Sequence, residues 1–146
     1  MQIYEALKKD HEKVRELLGR LVALREGEED TRTALIEEIR DELIPHSRAE
    51  EAVFYNSIRA INTAQDLVWH GYEEHMMAET LLRTMQAMDK INADSKKLAQ
   101  KLKSALEHHI EEEESKIFTV AKHLFTDEEA EVMAEAFEEM KPEIKE

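Results

Sequence analysis

The sequence predicts an all-α fold, namely an antiparallel up-down four-helix bundle with a short C-terminal fifth helix. Apolar residues recur every three or four positions in four long segments, which is the period of an amphipathic helix. With three Gly, two Pro and 37% charged residues in 146, the composition offers little material for sheets and turns. The segments are joined by short connections, which favour antiparallel packing of neighbouring helices.

The length suits a single domain, residues 1–146. The bundle is predicted over about residues 3–124 and the fifth helix over about 127–141. Within the bundle, the first helix is expected from about Ile3 to Arg25 and the second from about Thr31 to Ala60.

Polar capping residues predict the remaining helix boundaries. Asn62-Thr63 should begin the third helix, and Asn92-Ala93-Asp94-Ser95 the fourth. Thr126-Asp127-Glu128-Glu129 has the form of a capping box for the fifth helix, which should end before Pro142. Pro45 predicts a bend or a break within the second helix, because proline removes one backbone hydrogen bond.

Each inner helix face combines apolar residues with one histidine, and two faces add a glutamate one turn later. A single histidine on such a face is more often a hydrogen-bonded core residue than a ligand. Four histidines and two glutamates in one core, however, would be costly to desolvate without a partner. Metal ions are the natural compensation, and imidazole with carboxylate suits iron. The candidate metal ligands are His11, His46, Glu50, His75, His109 and Glu113. The other residues predicted on these faces are Leu7, Val14, Leu18, Leu21, Leu35, Ile39, Val53, Ser57, Ala64, Val68, Ala78, Leu82, Met85, Leu98, Leu102, Ala105 and Val120.

An internal repeat independently supports a metal site. Residues 46–55 align without a gap on residues 109–118, and Asp10-His11 matches Glu74-His75. Each helical hairpin therefore supplies one half-site, with a histidine followed later by HxxxE. Two facing half-sites would make a pseudo-symmetric pocket with room for two metals.

The H–HxxxE–H–HxxxE order, from His11 through Phe118, resembles the hemerythrin-like, or HHE, cation-binding family. The resemblance implies two iron ions in an oxo- or hydroxo-bridged di-iron centre. It implies that O2, NO or peroxide is the small ligand, and some members sense iron or oxygen. By the same resemblance, Glu50 and Glu113 would bridge the irons, with His11 and His46 on one iron and His75 and His109 on the other.

The chain departs from the oxygen-carrying members of that family at Gly71, where they place an additional histidine one turn before His75. Close helix packing is one reason for a glycine there. The other is a vacancy that leaves the His75/His109 iron one ligand short, open to water, to an exogenous ligand or to His70. Glu113 also follows His109 by four residues rather than five. Both differences match the bacterial-type branch of the family better and argue against simple reversible oxygen carriage. A vacancy at the His75/His109 iron would favour reaction with peroxide or NO.

The sequence also bears on several alternatives to a hemerythrin-like di-iron site. A ferritin-like site needs Glu-x-x-His pairs, and HExxH marks zinc proteases; the chain has neither. A regulatory module whose fold depends on iron remains an alternative, as does a plain acidic scaffold. Whether the protein is an enzyme, such as a peroxide- or NO-reactive oxidoreductase, stays open.

Of the remaining histidines, His108 is expected to be solvated and His123 to be structural or exposed. His70 is expected at the surface or in contact with a metal ligand, rather than bound to metal itself. Glu79 follows His75 at ligand spacing but is not expected to bind metal, since its repeat counterpart is Arg15. Tyr55 and Tyr72 could reach the rim of the pocket.

The net charge of −14 argues against a nucleic-acid partner, because phosphates would be repelled. The absence of Cys excludes disulfides and thiolate metal sites. With neither a signal-like N-terminus nor an apolar run long enough for a membrane span, a soluble, cytoplasmic protein is expected. The oligomeric state is left open.

Overall fold

A computed structural model describes residues 1–61 and 64–144, which are helical with no β-strand among them. The all-α prediction is confirmed. The α-helices are α1 Ile3–Val22, α2 Glu29–Glu50, α3 Asn56–Ile58, α4 Gln65–Gln86, α5 Ala93–Glu112, α6 Phe118–Leu124 and α7 Asp127–Met140. Two π-helical turns, Glu51–Tyr55 and Glu113–Ile117, and a 3-10 turn, Lys141–Glu143, complete the order. None of the helices in the described ranges is both long and apolar enough to cross a membrane.

The π-helical turns join α2 to α3 and α5 to α6 without a break, so the described chain forms five continuous helices. The α1 helix packs against α2 and α5, and α4 packs against α5 and α2. The four long helices therefore surround a common interior. The α7 helix lies against α1 and α2.

The capping predictions hold where they can be compared. The Asn92 side chain accepts from the Ser95 backbone N–H at 2.9 Å, and α5 begins at Ala93. Thr126 accepts from Glu129 N–H at 3.1 Å and begins α7, which ends at Met140. Asn62-Thr63 lies outside the described residues. Pro45 does not break α2, which continues to Glu50.

The two π-helical turns change which residues face the core. Ser57, predicted on the inner face, is exposed, whereas Tyr55 and Ile58 are buried. The prediction is wrong because a π-helical turn holds one residue more than an α-helical turn and so rotates the following face. The π-helical turn that begins at Glu113 has the same effect, since Phe118 is buried and Val120 only half-buried. Ala105 and Leu98 are also only half-buried.

The apolar core of the described residues consists of two clusters. Along α1, Leu7 belongs to the first cluster and Val14 to the second, with His11 between them. Along α4, His75 likewise lies between the two clusters. A polar layer is thus held inside the bundle with apolar packing on either side.

Candidate metal centre

The structure brings all six candidate ligands together in this polar layer. The two glutamates are fully buried, and the four histidines are no more than 5% exposed. They come from α1, α2, α4, α5 and the start of the second π-helical turn. The residues are His11, His46, Glu50, His75, His109 and Glu113.

Glu50 lies between the α1/α2 hairpin and the α4/α5 hairpin. Its Oε1 is 3.1 Å from Nε2 of His75 in α4. The same oxygen is 3.8 Å from Nε2 of His46, one turn earlier in α2. One carboxylate oxygen therefore faces a histidine from each hairpin.

Glu113 occupies the equivalent position on the opposite side. Its Oε1 lies 3.2 Å from Nε2 of His11 in α1, and its Oε2 lies 3.4 Å from Nε2 of His109. The Nε2 atoms of His75 and His109 are themselves 3.1 Å apart. The imidazole nitrogens and carboxylate oxygens thus converge on a small shared volume.

Several of these converging atoms lie at ion-pair distance from one another but make no well-directed hydrogen bond within the described residues. They are Nε2 of His11, both oxygens of Glu50 and Oε1 of Glu113. Leaving a buried polar atom unpaired costs about 1–3 kcal/mol, so four in one place require an explanation. The donor atoms form two sets, and within each set all atoms lie within 4.8 Å of one another. One set comes from His11, His46 and Glu50, and the other from Glu50, His75, His109 and Glu113. This nitrogen and oxygen donor set fits transition-metal ions such as iron.

Each of the four histidines directs its other ring nitrogen, Nδ1, at an outer carboxylate. An ionised carboxylate only accepts, so Nδ1 carries the proton and donates it. In a neutral ring, Nε2 then presents a lone pair to the centre, which is the arrangement typical of metal-binding histidines. The pairs are His11 with Glu114 at 2.8 Å, His46 with Asp10 at 2.9 Å, His75 with Glu51 at 2.8 Å and His109 with Glu74 at 2.8 Å.

The sequence did not predict these outer carboxylates, although it carries a signal for them. Each is the immediate neighbour of a candidate ligand. The internal repeat also matches Asp10 with Glu74 and Glu51 with Glu114. The structure follows that symmetry. Asp10 and Glu74 each bind a histidine of their own hairpin. Glu51 and Glu114 each bind a histidine of the other hairpin.

Burial and the neighbouring charges shift the pKa values of the buried glutamates and histidines. Burial raises the pKa of Glu50, and the charge of Glu113 raises it further. Burial opposes ionisation of Glu113 too, but His109 and His11 hold its pKa well below the usual range. Burial alone would lower the pKa values of His11 and His109, but the adjoining carboxylates raise both to about 9. Burial lowers the pKa of His46. Bound protons can thus balance the buried carboxylates, and a metal cation would replace them.

Comparison with known proteins agrees with this geometry. The sequence model of the hemerythrin HHE cation-binding domain matches residues 2–121. The chain belongs to the hemerythrin HHE family. A solved structure of the same fold is a hemerythrin HHE cation-binding domain-containing protein, the Rv2633c homologue from Mycobacterium kansasii. It is 25% identical, with a TM-score of 0.80, and the alignment covers 98% of this chain and 89% of that one. No curated protein gives a significant match.

In this HHE domain, Gly71 lies on the inner face of α4, but the space beside it is filled. A Cβ at this position would lie 2.7 Å from the phenolic oxygen of Tyr55. The Tyr55 ring stacks on His75, with 5.4 Å between ring centroids, and its hydroxyl donates to Glu113 at 2.5 Å. Tyr55 therefore fills the space beside Gly71, which supports close packing as the reason for the glycine. The open coordination position on the His75/His109 iron stays a prediction. Tyr72 does not reach the centre and donates instead to Asn56 at 2.7 Å.

The fifth helix adds a contact beyond the part of the chain that matches the family. The Phe137 ring packs edge-on against His46, with 5.5 Å between centroids. Lys141 Nζ lies 2.9 Å from Oδ2 of Asp10, the carboxylate that holds His46. Burial opposes ionisation of Asp10, but His46 and Lys141 together lower its pKa. The C-terminal segment therefore closes one side of the centre.

The remaining histidines lie at the surface of the HHE domain, as predicted. The side chains of His70 and His108 are 53% and 62% exposed, and His123 is exposed as well. Glu79 is buried but pairs with Arg48, whose nitrogens lie 2.6 and 3.0 Å from its two oxygens. Its charge is therefore already balanced away from the centre.

Proposed function

We propose that this HHE domain is a non-haem di-iron protein that binds or reacts with O2, NO or peroxide. In this proposal residues 1–146 form one domain, and the four long helices run up and down in antiparallel order. The ligand assignment is His11 and His46 to one iron, His75 and His109 to the other, and Glu50 and Glu113 to both.

The position of each glutamate between histidines of different hairpins carries this proposal. Oε1 of Glu50 lies within 3.8 Å of His46 and His75, and the two oxygens of Glu113 face His11 and His109. A carboxylate in such a place suits a bridge between two cations. Family membership supports metal binding, and the paired half-sites support two ions rather than one.

Iron, when bound, would supply a redox-active Lewis acid with coordination positions for a small ligand. The chain's own residues hold and tune the ligand set. The outer carboxylates keep the protons on Nδ1 and so fix the orientation and basicity of the four imidazoles. Tyr55 donates to Glu113, which limits how far that carboxylate can move.

A small cavity beside the histidines supports access for a diatomic or peroxide ligand. Its volume is about 20 Å³, which leaves room for roughly one water-sized molecule. Ser47 also lines the cavity, and its Oγ is buried without a hydrogen-bond partner among the described residues. That hydroxyl could donate to a bound ligand. The cavity is otherwise lined by Asp10, His11, Val14, Leu43, His46, His75, Leu106, His109 and Ile110.

The second candidate function is an iron- or oxygen-responsive regulatory module. It is favoured by the same glutamates, because Glu50 and Glu113 join the two hairpins through the centre. Without metal, these two buried carboxylates must be balanced by protons alone, so metal loss would weaken the contact between hairpins. The two functions differ in whether the centre reacts with the small ligand or only reports it.

Spectroscopy of the iron-loaded protein separates these functions. In air, a near-ultraviolet oxo-to-iron band is expected, which dithionite should bleach. Adding NO to the reduced protein, or peroxide to the oxidised protein, should change the spectrum as soon as the two are mixed. A spectrum unaffected by NO, azide or peroxide, with folding still dependent on iron, would favour an iron-responsive regulatory module. No iron-dependent absorption at all would contradict both.

A further inference from the structure

A second cluster of metal-binding side chains lies on the surface, where α4 and α5 meet. It consists of two i, i+4 pairs, His70 with Glu74 on α4 and His108 with Glu112 on α5. The two histidines are more than half exposed, and the two glutamates are partly buried. The cluster is distinct from the buried centre, with which it shares no candidate ligand.

The four donor atoms of this cluster are spaced as a metal site requires. His70 Nε2 lies 3.4 Å from Glu74 Oε2 and 3.5 Å from Glu112 Oε2. His108 Nε2 lies 3.9 Å from Glu74 Oε2 and 3.4 Å from Glu112 Oε2. Tetrahedral ligands about 2.0–2.2 Å from a zinc ion lie roughly 3.3–3.6 Å apart, so these donors need to move little.

We propose that His70, Glu74, His108 and Glu112 form a surface site for a single divalent transition-metal ion such as Zn²⁺. Two carboxylates balance the charge of one divalent cation, and imidazole and carboxylate are donors that such ions accept.

Each carboxylate keeps one oxygen for a protein partner and turns the other to the cluster. Glu74 Oε1 accepts from His109 Nδ1 at 2.8 Å, and Glu112 Oε1 lies 3.4 Å from Lys116 Nζ. Their Oε2 atoms face the two surface histidines. The Glu74 carboxylate is thus held by a buried histidine, which lowers the entropy lost when a cation binds.

The pseudo-symmetry of the domain points to a cation at this place. Asp10 is the repeat counterpart of Glu74, and each holds a histidine of the centre. Asp10 is neutralised by the ammonium group of Lys141. The ion pairs of Glu74 within the described residues are all with histidines. A metal ion held by His70 and His108 would take the place that Lys141 occupies in the other half.

Two independent solvated His–Glu pairs are the plain alternative. Exposed i, i+4 ion pairs are individually weak, and two such pairs on separate helices would not by themselves bring all four side chains to one point. A shared site would bind one metal ion between the two helices, whereas two separate pairs would not hold an ion there.

The test is a titration of the full-length, iron-loaded protein with Zn²⁺, followed by calorimetry, and with Co²⁺, followed by its visible d–d absorption. Wild type should bind one ion per chain beyond its iron. His70→Ala and His108→Ala should each weaken that binding at least tenfold with unchanged iron content. His123→Ala, an exposed histidine outside the cluster, is the matched control and should bind like wild type.

The proposal is overturned if wild type binds no additional ion, or if both variants bind it as tightly as His123→Ala does. Because iron is counted separately in every sample, this result does not depend on the outcome for the buried centre. If Zn²⁺ were to enter the buried centre instead, the alanine variants would match wild type, which would also overturn the proposal.

Discussion

The Tyr55 side chain occupies the space that a side chain at Gly71 would need. A Cβ on Gly71 would lie 2.7–2.9 Å from the phenolic oxygen and two ring carbons, which is closer than van der Waals contact allows. Since Tyr55 is packed between His75 and Glu113, it cannot move away freely. The glycine and the tyrosine are therefore two parts of one packing arrangement at the edge of the centre.

Gly71→Ala should lower the free energy of unfolding by about 1–3 kcal/mol, the usual cost of overpacking a core. Gly19→Ala is the matched control, because Gly19 also lies inside a helix but has open space around its Cβ position. That change should stabilise the protein by about 0.5–1 kcal/mol. Chemical denaturation measures both. Equal effects of the two substitutions, or a smaller penalty for Gly71→Ala than for Gly19→Ala, would contradict the packing argument.

Helical periodicity predicts much of this site, but only as far as Glu50 and Glu113. His11, His46, His75 and His109 lie on faces that the 3.6-residue period defines. Beyond these residues the period shifts, because one π-helical turn begins at Glu51 and the other at Glu113. Ser57 is exposed rather than on the inner face for that reason. Single-sequence periodicity assumes regular helices and has no signal for such a turn.

The outer carboxylates could not be singled out for a different reason. The chain has 34 acidic residues, so adjacency to a ligand is weak evidence for any one of them. The contact of Asp10 with Lys141 joins residues 131 positions apart and depends on where α7 packs. Only the tertiary structure supplies that information.

Removing an outer carboxylate charge should weaken metal binding without removing a ligand. Glu51→Gln and Glu114→Gln should each lower metal affinity about 10- to 100-fold, because the paired imidazole becomes less basic and less well oriented. The two should behave alike, since they are repeat counterparts. Competition with a chelator measures the affinities. Glu73→Gln, at an exposed position on α4, serves as the control and should leave the affinity unchanged.

Ser47→Ala should weaken binding of azide or NO to the iron-loaded protein while leaving the iron content intact. Ser47 lines the cavity, and its hydroxyl is buried without a hydrogen-bond partner among the described residues, so it is free to donate to a bound ligand. Losing one such hydrogen bond costs about 0.5–1.5 kcal/mol, or several-fold in affinity. Spectrophotometric titration gives the constants, with Ser57→Ala, an exposed serine, as the control. If Ser47→Ala binds azide or NO as tightly as wild type, the Ser47 hydroxyl does not donate to the bound ligand.

The raised pKa values predict how the metal-stripped protein responds to pH. The pKa values of His11 and His109 rise from 6.5 to about 9 on folding, so the folded state binds their protons more tightly than the unfolded state. Their contribution is fully present below pH 6.5 and is lost as pH rises through about 9. Urea unfolding of stripped protein should therefore show falling stability over this window. The metal-loaded protein should not, because metal and protons compete for the same nitrogens. Parallel pH profiles for the two forms would contradict the assignment of these histidines to the centre.

Iron content per chain tests the central claim most directly. Protein expressed in iron-replete medium and analysed by atomic spectroscopy should contain two irons per chain. His11→Ala and His75→Ala, one from each proposed half-site, should each lose iron. His123→Ala should retain both ions. A single zinc per chain in the wild type, or the same iron content in His11→Ala, His75→Ala and His123→Ala, would contradict a di-iron centre built from these residues.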